Sequence, residues 1–128
     1  MIRDSLIAEL SKELEMDDFI SFSQPNRYSL TFEDDIKIDI LKFESNYLFK
    51  GIISSFPQSN EEAFVLRLME ANLFGIGTKN ATIGLNQENL LTLTLEVDYN
   101  RRYLDFKNKL EEFVNVIDFW RTEAKKAL

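Results

Sequence analysis

Ile2, Leu6, Leu10 and Leu14 stand four residues apart, with Ile7 beside them and Arg3, Asp4, Glu9, Lys12 and Glu13 on the other side. That is the apolar stripe of a helix, and it predicts an end at Glu15 or Met16, because Asp17 and Asp18 oppose the negative end of the helix dipole. The period then falls to two. Tyr28, Leu30 and Phe32 alternate with Ser29, Thr31 and Glu33, and after a turn at Glu33-Asp34-Asp35 the residues Ile36, Ile38 and Ile40 alternate with Lys37 and Asp39. Each run reads as a half-buried strand. Leu41 and Phe43 fall on the opposite face from Ile40, which predicts a bulge or a second apolar face. Ser45-Asn46 leads into a third strand, Tyr47 to about Phe56, closed by Pro57. Three antiparallel strands in hairpin order follow from this pattern.

Ser59-Asn60-Glu61-Glu62 has the form of a capping box, with Ser59 as the cap and Glu62 reaching back to its N–H. The helix it opens, EEAFVLRLMEANLF, is apolar over well more than half its circumference: Phe64, Val65, Leu66, Leu68, Met69, Ala71 and Leu73 all contribute. A helix lying on one core needs a narrower stripe. The surplus face calls for a second covering surface, and in a domain of this size a second copy of the chain is the simplest candidate.

The helix runs into FGIGTKN, residues 74–80, which has the look of a phosphate-binding loop. Such a loop runs from a strand into a helix, whose N-terminal N–H groups hold the anion. Here the order is reversed, and the Gly-Lys-Ser/Thr ending is missing. Gly75 reads instead as the left-handed residue just past a helix end. Ala81 to Leu85 then forms a short strand, Gly84 to Asn89 a polar turn, and Leu91, Leu93, Leu95 and Val97 alternate with Thr92, Thr94 and Glu96 in the cleanest strand of the chain. A last helix from near Asn100 carries Tyr103, Phe106, Leu110, Phe113, Val114, Ile117, Trp120 and Ala124 on one stripe, with Leu104 and Phe119 off it. The expected fold is one α+β domain over 1–128, in the order α-β-β-β-α-β-β-α, with three helices and a mainly antiparallel twisted sheet.

Composition narrows the chemistry. Twenty-two acidic against 15 basic residues give a net charge of −7, spread along the chain. That balance opposes nucleic acid and anionic membranes, which need clustered Lys and Arg. No apolar run reaches the ~18 residues of a membrane span, and the N-terminus lacks the apolar core of a signal peptide. With no Cys and no His, disulfides, thiolate chemistry and His-based triads are excluded. Carboxylate pairs remain at Asp17-Asp18, Asp34-Asp35, Glu61-Glu62 and Glu111-Glu112. Each sits at a turn or on a polar helix face, whereas an acid/base pair needs one carboxyl in an apolar pocket. No spacing suits an oxygen-ligated metal. The expectation is a protein without catalytic, cofactor or metal site.

The surplus of apolar residues, including 11 Phe, points toward protein binding. Beyond a dimer contact, it suits grooves that accept apolar side chains of another polypeptide, beside a free sheet edge for strand addition.

Residues 66–97, LRLMEANLFGIGTKNATIGLNQENLLTLTLEV, resemble the signature of class I type III secretion chaperones, the Tir chaperone family. The matching parts are Leu68-Met69-Glu70-Ala71-Asn72, where Met69 replaces the second Leu of a Leu-Leu-x-x-Asn pattern, then Ile83-Gly84-Leu85-Asn86 and the strand Leu91–Val97. The element order, size, acidic balance and last helix with Phe113 and Trp120 agree with it. The resemblance implies a homodimer in the bacterial cytoplasm that binds the N-terminal segment of a secreted effector in extended form, keeping it soluble and export-competent without ATP. It implies a dimer contact from the middle helix and the strand after it, with Phe64, Val65, Leu68, Met69, Leu73, Ile83 and Leu85 as candidates. It also implies an effector groove from the first helix and the first three strands, with candidates Ile2, Leu6, Leu10, Leu30, Phe32, Ile36, Ile38, Leu41 and Phe43. Two other readings stand beside it: a small apolar-ligand domain whose surplus lines an internal pocket, and a carboxylate enzyme. The helix apolar on two sides favours the chaperone over the pocket.

Overall fold

The computed structural model describes residues 6, 9–10, 21–24, 26–32, 35–57, 61–75, 78–98 and 102–126. Six strands and two helices are delimited among them: β1 Ser21–Gln24, β2 Arg27–Thr31, β3 Lys37–Lys42, β4 Asn46–Ser55, α1 Glu61–Phe74, β5 Thr82–Leu85, β6 Leu90–Asp98 and α2 Tyr103–Lys126. Of the first expected helix, Leu6, Glu9 and Leu10 are helical; the rest of it, like the Ser59 cap, lies outside the described residues. Two delimited helices thus stand where three were expected. The sheet gains a strand instead, with β1 at its edge. SFSQ contains one apolar residue and so shows no alternation, and what makes it a strand is pairing with β2 across a turn in which Asn26 adopts φ 64°.

All neighbouring strands are antiparallel, in the order β1-β2-β3-β4-β6-β5. The hairpin succession β2-β3-β4 follows the expected order. α1 intervenes between β4 and β5, so that β6 lies beside β4 and β5 becomes the second edge. At Leu41 the ladders to Arg27 and Leu48 are regular, so the slipped pattern there means a second apolar face. The irregularity lies in β4, where Ile52 faces Thr92 and Ser54 faces Leu91. The intervening Ile53 is buried, and its carbonyl accepts from Arg121 Nε at 2.8 Å. A group displaced from the ladder thereby keeps a partner.

One face of the sheet holds the core. Tyr47, Phe49, Gly51 and Ile53 of β4 point to it, with Ile38 and Ile40 from β3 and Leu91, Leu93 and Val97 from β6. α2 lies across them. Phe106 packs at 5.3 Å from Tyr47 and 5.5 Å from Phe49, and Phe113 at 5.7 Å from Phe49, as tilted or edge-on aromatic pairs. Gly51 allows this approach, since a Cβ there would stand 2.5 Å from Ile117 Cδ1. The buried stripe of α2 is Phe106, Leu110, Phe113, Val116, Ile117, Trp120 and Ala124. It adds Val116 to the expected set, while Tyr103 and Val114 are half-buried and Leu104 and Phe119 are exposed.

Candidate partner-binding and self-association surfaces

α1 is anchored from one side only. Phe64, Leu68 and Ala71 point into the core, and Phe64 meets Trp120 of α2 at 6.2 Å between ring centres. Arg67 lies over the Trp120 ring at 5.6 Å and donates to Glu123 Oε2 at 2.9 Å. That hydrogen bond holds the Glu123 carboxyl below its ordinary range against the opposing effect of burial, and the charges of Arg67 and Lys126 help.

On the other side of the helix, Leu66, Met69 and Leu73 are 59%, 62% and 76% exposed. At intervals of three and four they form one outward stripe. Leu85 of β5 is also more than half exposed. The candidate dimer residues therefore divide. Met69, Leu73 and Leu85 lie on the surface, Val65 is half-buried, and Phe64, Leu68 and Ile83 are part of the chain's own core. Leu66 stands outside the expected set. Its signal was available, since it lies three residues before Met69 and seven before Leu73.

Asn72 stands between α1 and β5. Its Nδ2 donates to the Ile83 carbonyl at 2.9 Å, and its Oδ1 accepts from the Ile83 N–H at 2.8 Å. This explains the polar position in the Leu-x-x-x-Asn pattern: it ties the helix to the following strand. Past α1, Gly75 has φ +68° and ends the helix as expected. Lys79 and Asn80 continue the turn in left-handed conformations.

The candidate groove residues divide in the same way. Leu6, Leu10, Leu30, Ile36 and Ile38 are buried, Phe32 and Leu41 half-buried, and Phe43 exposed; Ile2 lies outside the described residues. Leu41 belongs to the outer face of the sheet, next to Leu48 in register. Ile52, on the same face by alternation, is also exposed. Polar groups interrupt these apolar positions. Arg27 Nη2 donates to Asp39 Oδ2 at 2.6 Å, and Ser29 Oγ to Asp39 Oδ1 at 2.7 Å. An open cleft of about 450 Å³ is lined by Leu48, Asn80, Thr82, Thr94, Leu95, Glu96 and Lys109. A smaller one, about 240 Å³, lies between Lys79 and the α2 residues Glu112, Asn115, Val116 and Phe119. The larger cleft is mainly polar and at the surface, which is not the lining an apolar ligand requires. Among the described residues no helix is long and apolar enough to cross a membrane.

Residues 5–121 match the model of the Tir chaperone protein (CesT) family. The chain belongs to that family. Solved structures carry the same fold at low identity. A chain of the heterodimeric ExoU–SpcU complex from the type III secretion system of Pseudomonas aeruginosa is 14% identical, with TM-score 0.67 over 99% of this chain and 98% of that one. A chain of the HopA1–SchA chaperone–effector complex is 14% identical, with TM-score 0.73 over 92% and 91%. A chain of the Yersinia pestis type III secretion chaperone SycH complex, with a stable fragment of YscM2, is 12% identical, with TM-score 0.67 over 98% of each. No curated protein sequence matches the chain. Tir chaperone family membership accounts for the motif around Asn72 and for the α+β architecture in which it is set.

Proposed function

We propose that this protein is a type III secretion chaperone of the bacterial cytoplasm. In this reading, 1–128 acts as one domain, pairs with a second copy, and holds the N-terminal segment of one or more secreted effectors in extended form. The bound segment stays soluble and ready for export, and neither ATP hydrolysis nor any other catalysis is involved. The observation that carries the reading is the family match over 5–121.

Physical features of the surface support it. A partner that stays extended cannot bury its own apolar side chains, so its carrier must offer apolar positions along a track. Phe43, Leu41, Leu48 and Ile52 are such positions, partly or largely exposed. The outward stripe of α1, continued by Leu85, suits a two-fold contact in which each copy covers the other's stripe. A dimer doubles the track. The acidic surface matches an effector segment that is neutral or basic, with charge setting the rate of encounter more than the strength of binding.

The test is capture by the tagged chain from its native bacterium, with and without ATP. The N-terminal fragment of each captured protein is then co-purified and the complex mass measured by light scattering. Two copies of the chain holding one fragment, indifferent to ATP, is the expected result. A monomer that retains no polypeptide but takes up an apolar dye overturns the proposal in favour of a small-ligand domain.

A further inference from the structure

The last strand of an open sheet presents unpaired N–H and C=O groups to any extended chain that approaches. A protein that handles extended polypeptide must therefore manage both edges of its sheet, here β1 and β5. The pairing of β5 shows which of its groups face outward. Ile83 exchanges both of its backbone hydrogen bonds with the Asn72 side chain, so those groups point away from β6. In an antiparallel ladder the direction alternates. Thr82 and Gly84 accordingly face their partners Thr94 and Thr92 across the ladder, while Ala81 and Leu85 turn outward like Ile83. The Ala81 N–H is occupied too, donating to the Thr78 carbonyl at 3.0 Å. A side-chain amide offers one donor and one acceptor to the same residue, as an incoming antiparallel strand would.

We infer that Asn72 is a strand mimic that closes the centre of the β5 edge, at Ile83, to backbone pairing, so that no incoming strand can pair continuously from Ala81 to Leu85. Extended polypeptide is thereby turned away from the edge beside α1, where strand addition would compete with contacts of the outward stripe. The inference rests on the proposed function for the identity of the extended partner, but the closing of the edge does not depend on it.

Asn72→Ala separates this role from that of a plain tether. In the wild type the Ile83 amide should exchange slowly with solvent. In a variant that keeps its native circular dichroism it should exchange at least about tenfold faster in dilute solution. It should regain protection as concentration rises, while light-scattering mass moves past that of the wild type because open β5 edges pair with each other. A natively folded variant with wild-type mass at every concentration overturns the inference. If the alanine variant fails to fold, Asn72→Ser, a shorter side chain that keeps a hydroxyl, takes its place. Should neither keep the native spectrum, Asn72 is only a tether and the inference falls. Effector capture is scored separately: if the wild type captures no polypeptide, the proposed function fails while mass and exchange still decide the role of Asn72.

Discussion

α1 and α2 lie on the same core, yet α2 sorts its apolar residues to one side far more fully than α1 does. Its buried positions recur at helical spacing, and the residues between them are mostly Lys, Glu, Asp, Asn and Arg. α1 buries Phe64, Leu68 and Ala71 and turns Leu66, Met69 and Leu73 away from the core. The difference is one of completeness. α2 leaves only the separate Leu104 and Phe119 exposed outside its buried stripe, whereas the outward side of α1 is an apolar stripe with no cover from the residues that pack beneath it. A soluble helix of that kind is normally half of an interface.

Two substitutions on α1 put this comparison to the sharpest test. Leu68→Glu places a charge in the core, at a cost of several kcal/mol, and should abolish the native circular dichroism and the folding transition together. Leu73→Glu, on the opposite side of the same helix, should keep the spectrum and lose the pairing. A central apolar contact of an interface is worth about 2 kcal/mol or more, so the dissociation constant should rise at least about thirtyfold by sedimentation. If Leu73→Glu left the mass unchanged, the outward stripe would not be the contact between copies.

The sheet supports a weaker contrast, between its covered and uncovered faces. Phe43 is exposed at the end of β3, and its replacement by Asp should leave stability within about 0.5 kcal/mol. Capture of an effector segment should fall about tenfold or more by calorimetry if Phe43 lies on the track, with dimer mass unchanged. An unaltered affinity would move the track away from this end of the sheet.

How far each of these surfaces could be read from the sequence depended on whether the signal is local. The alternation of Leu91 to Val97 and the stripe of α2 are periodic within one segment, and both were legible. β1 was not, because SFSQ becomes a strand through pairing with β2 and not through its own pattern. Of the two readings of the slip at Leu41, a bulge or a second apolar face, the second holds. The irregularity of β4 leaves no mark in the pattern for a related reason. Leu41 breaks the alternation but not the ladder, while Ile53 keeps an apolar residue where the register shifts. For the surfaces the limit was different. Periodicity tells which face a side chain takes but not what covers it, so core positions such as Phe64, Leu68, Ile36 and Ile38 stood among interface and groove candidates. Leu66 counts toward the apolar circumference of the helix but not among the dimer candidates, although its spacing places it with Met69 and Leu73. Asn72 was visible only as a motif letter, since its role is a contact with a residue 11 positions away.

The smallest expected effect concerns the joint between the two helices. Arg67 and Glu123 are the ionic part of that joint, and Phe64, Leu68 and Trp120 are the apolar part. Arg67 is half exposed, so water and salt screen the pair. Arg67→Gln should therefore cost only about 0.5–1 kcal/mol, read from denaturant unfolding at pH 7 and fixed protein concentration. The pH dependence has a definite sign. Glu123 titrates below its ordinary value of 4.5 in the folded chain, so its contribution is present in full above that value and is lost as the pH falls through the lower, folded value. On acidification the wild type should lose stability faster than Arg67→Gln, and the two curves should converge at the acid end. Curves that stay parallel from pH 7 to pH 3 would assign the joint between α1 and α2 to Phe64, Leu68 and Trp120 alone. The ion pair would then fix the direction of the Arg67 side chain over Trp120 without adding to the hold of one helix on the other.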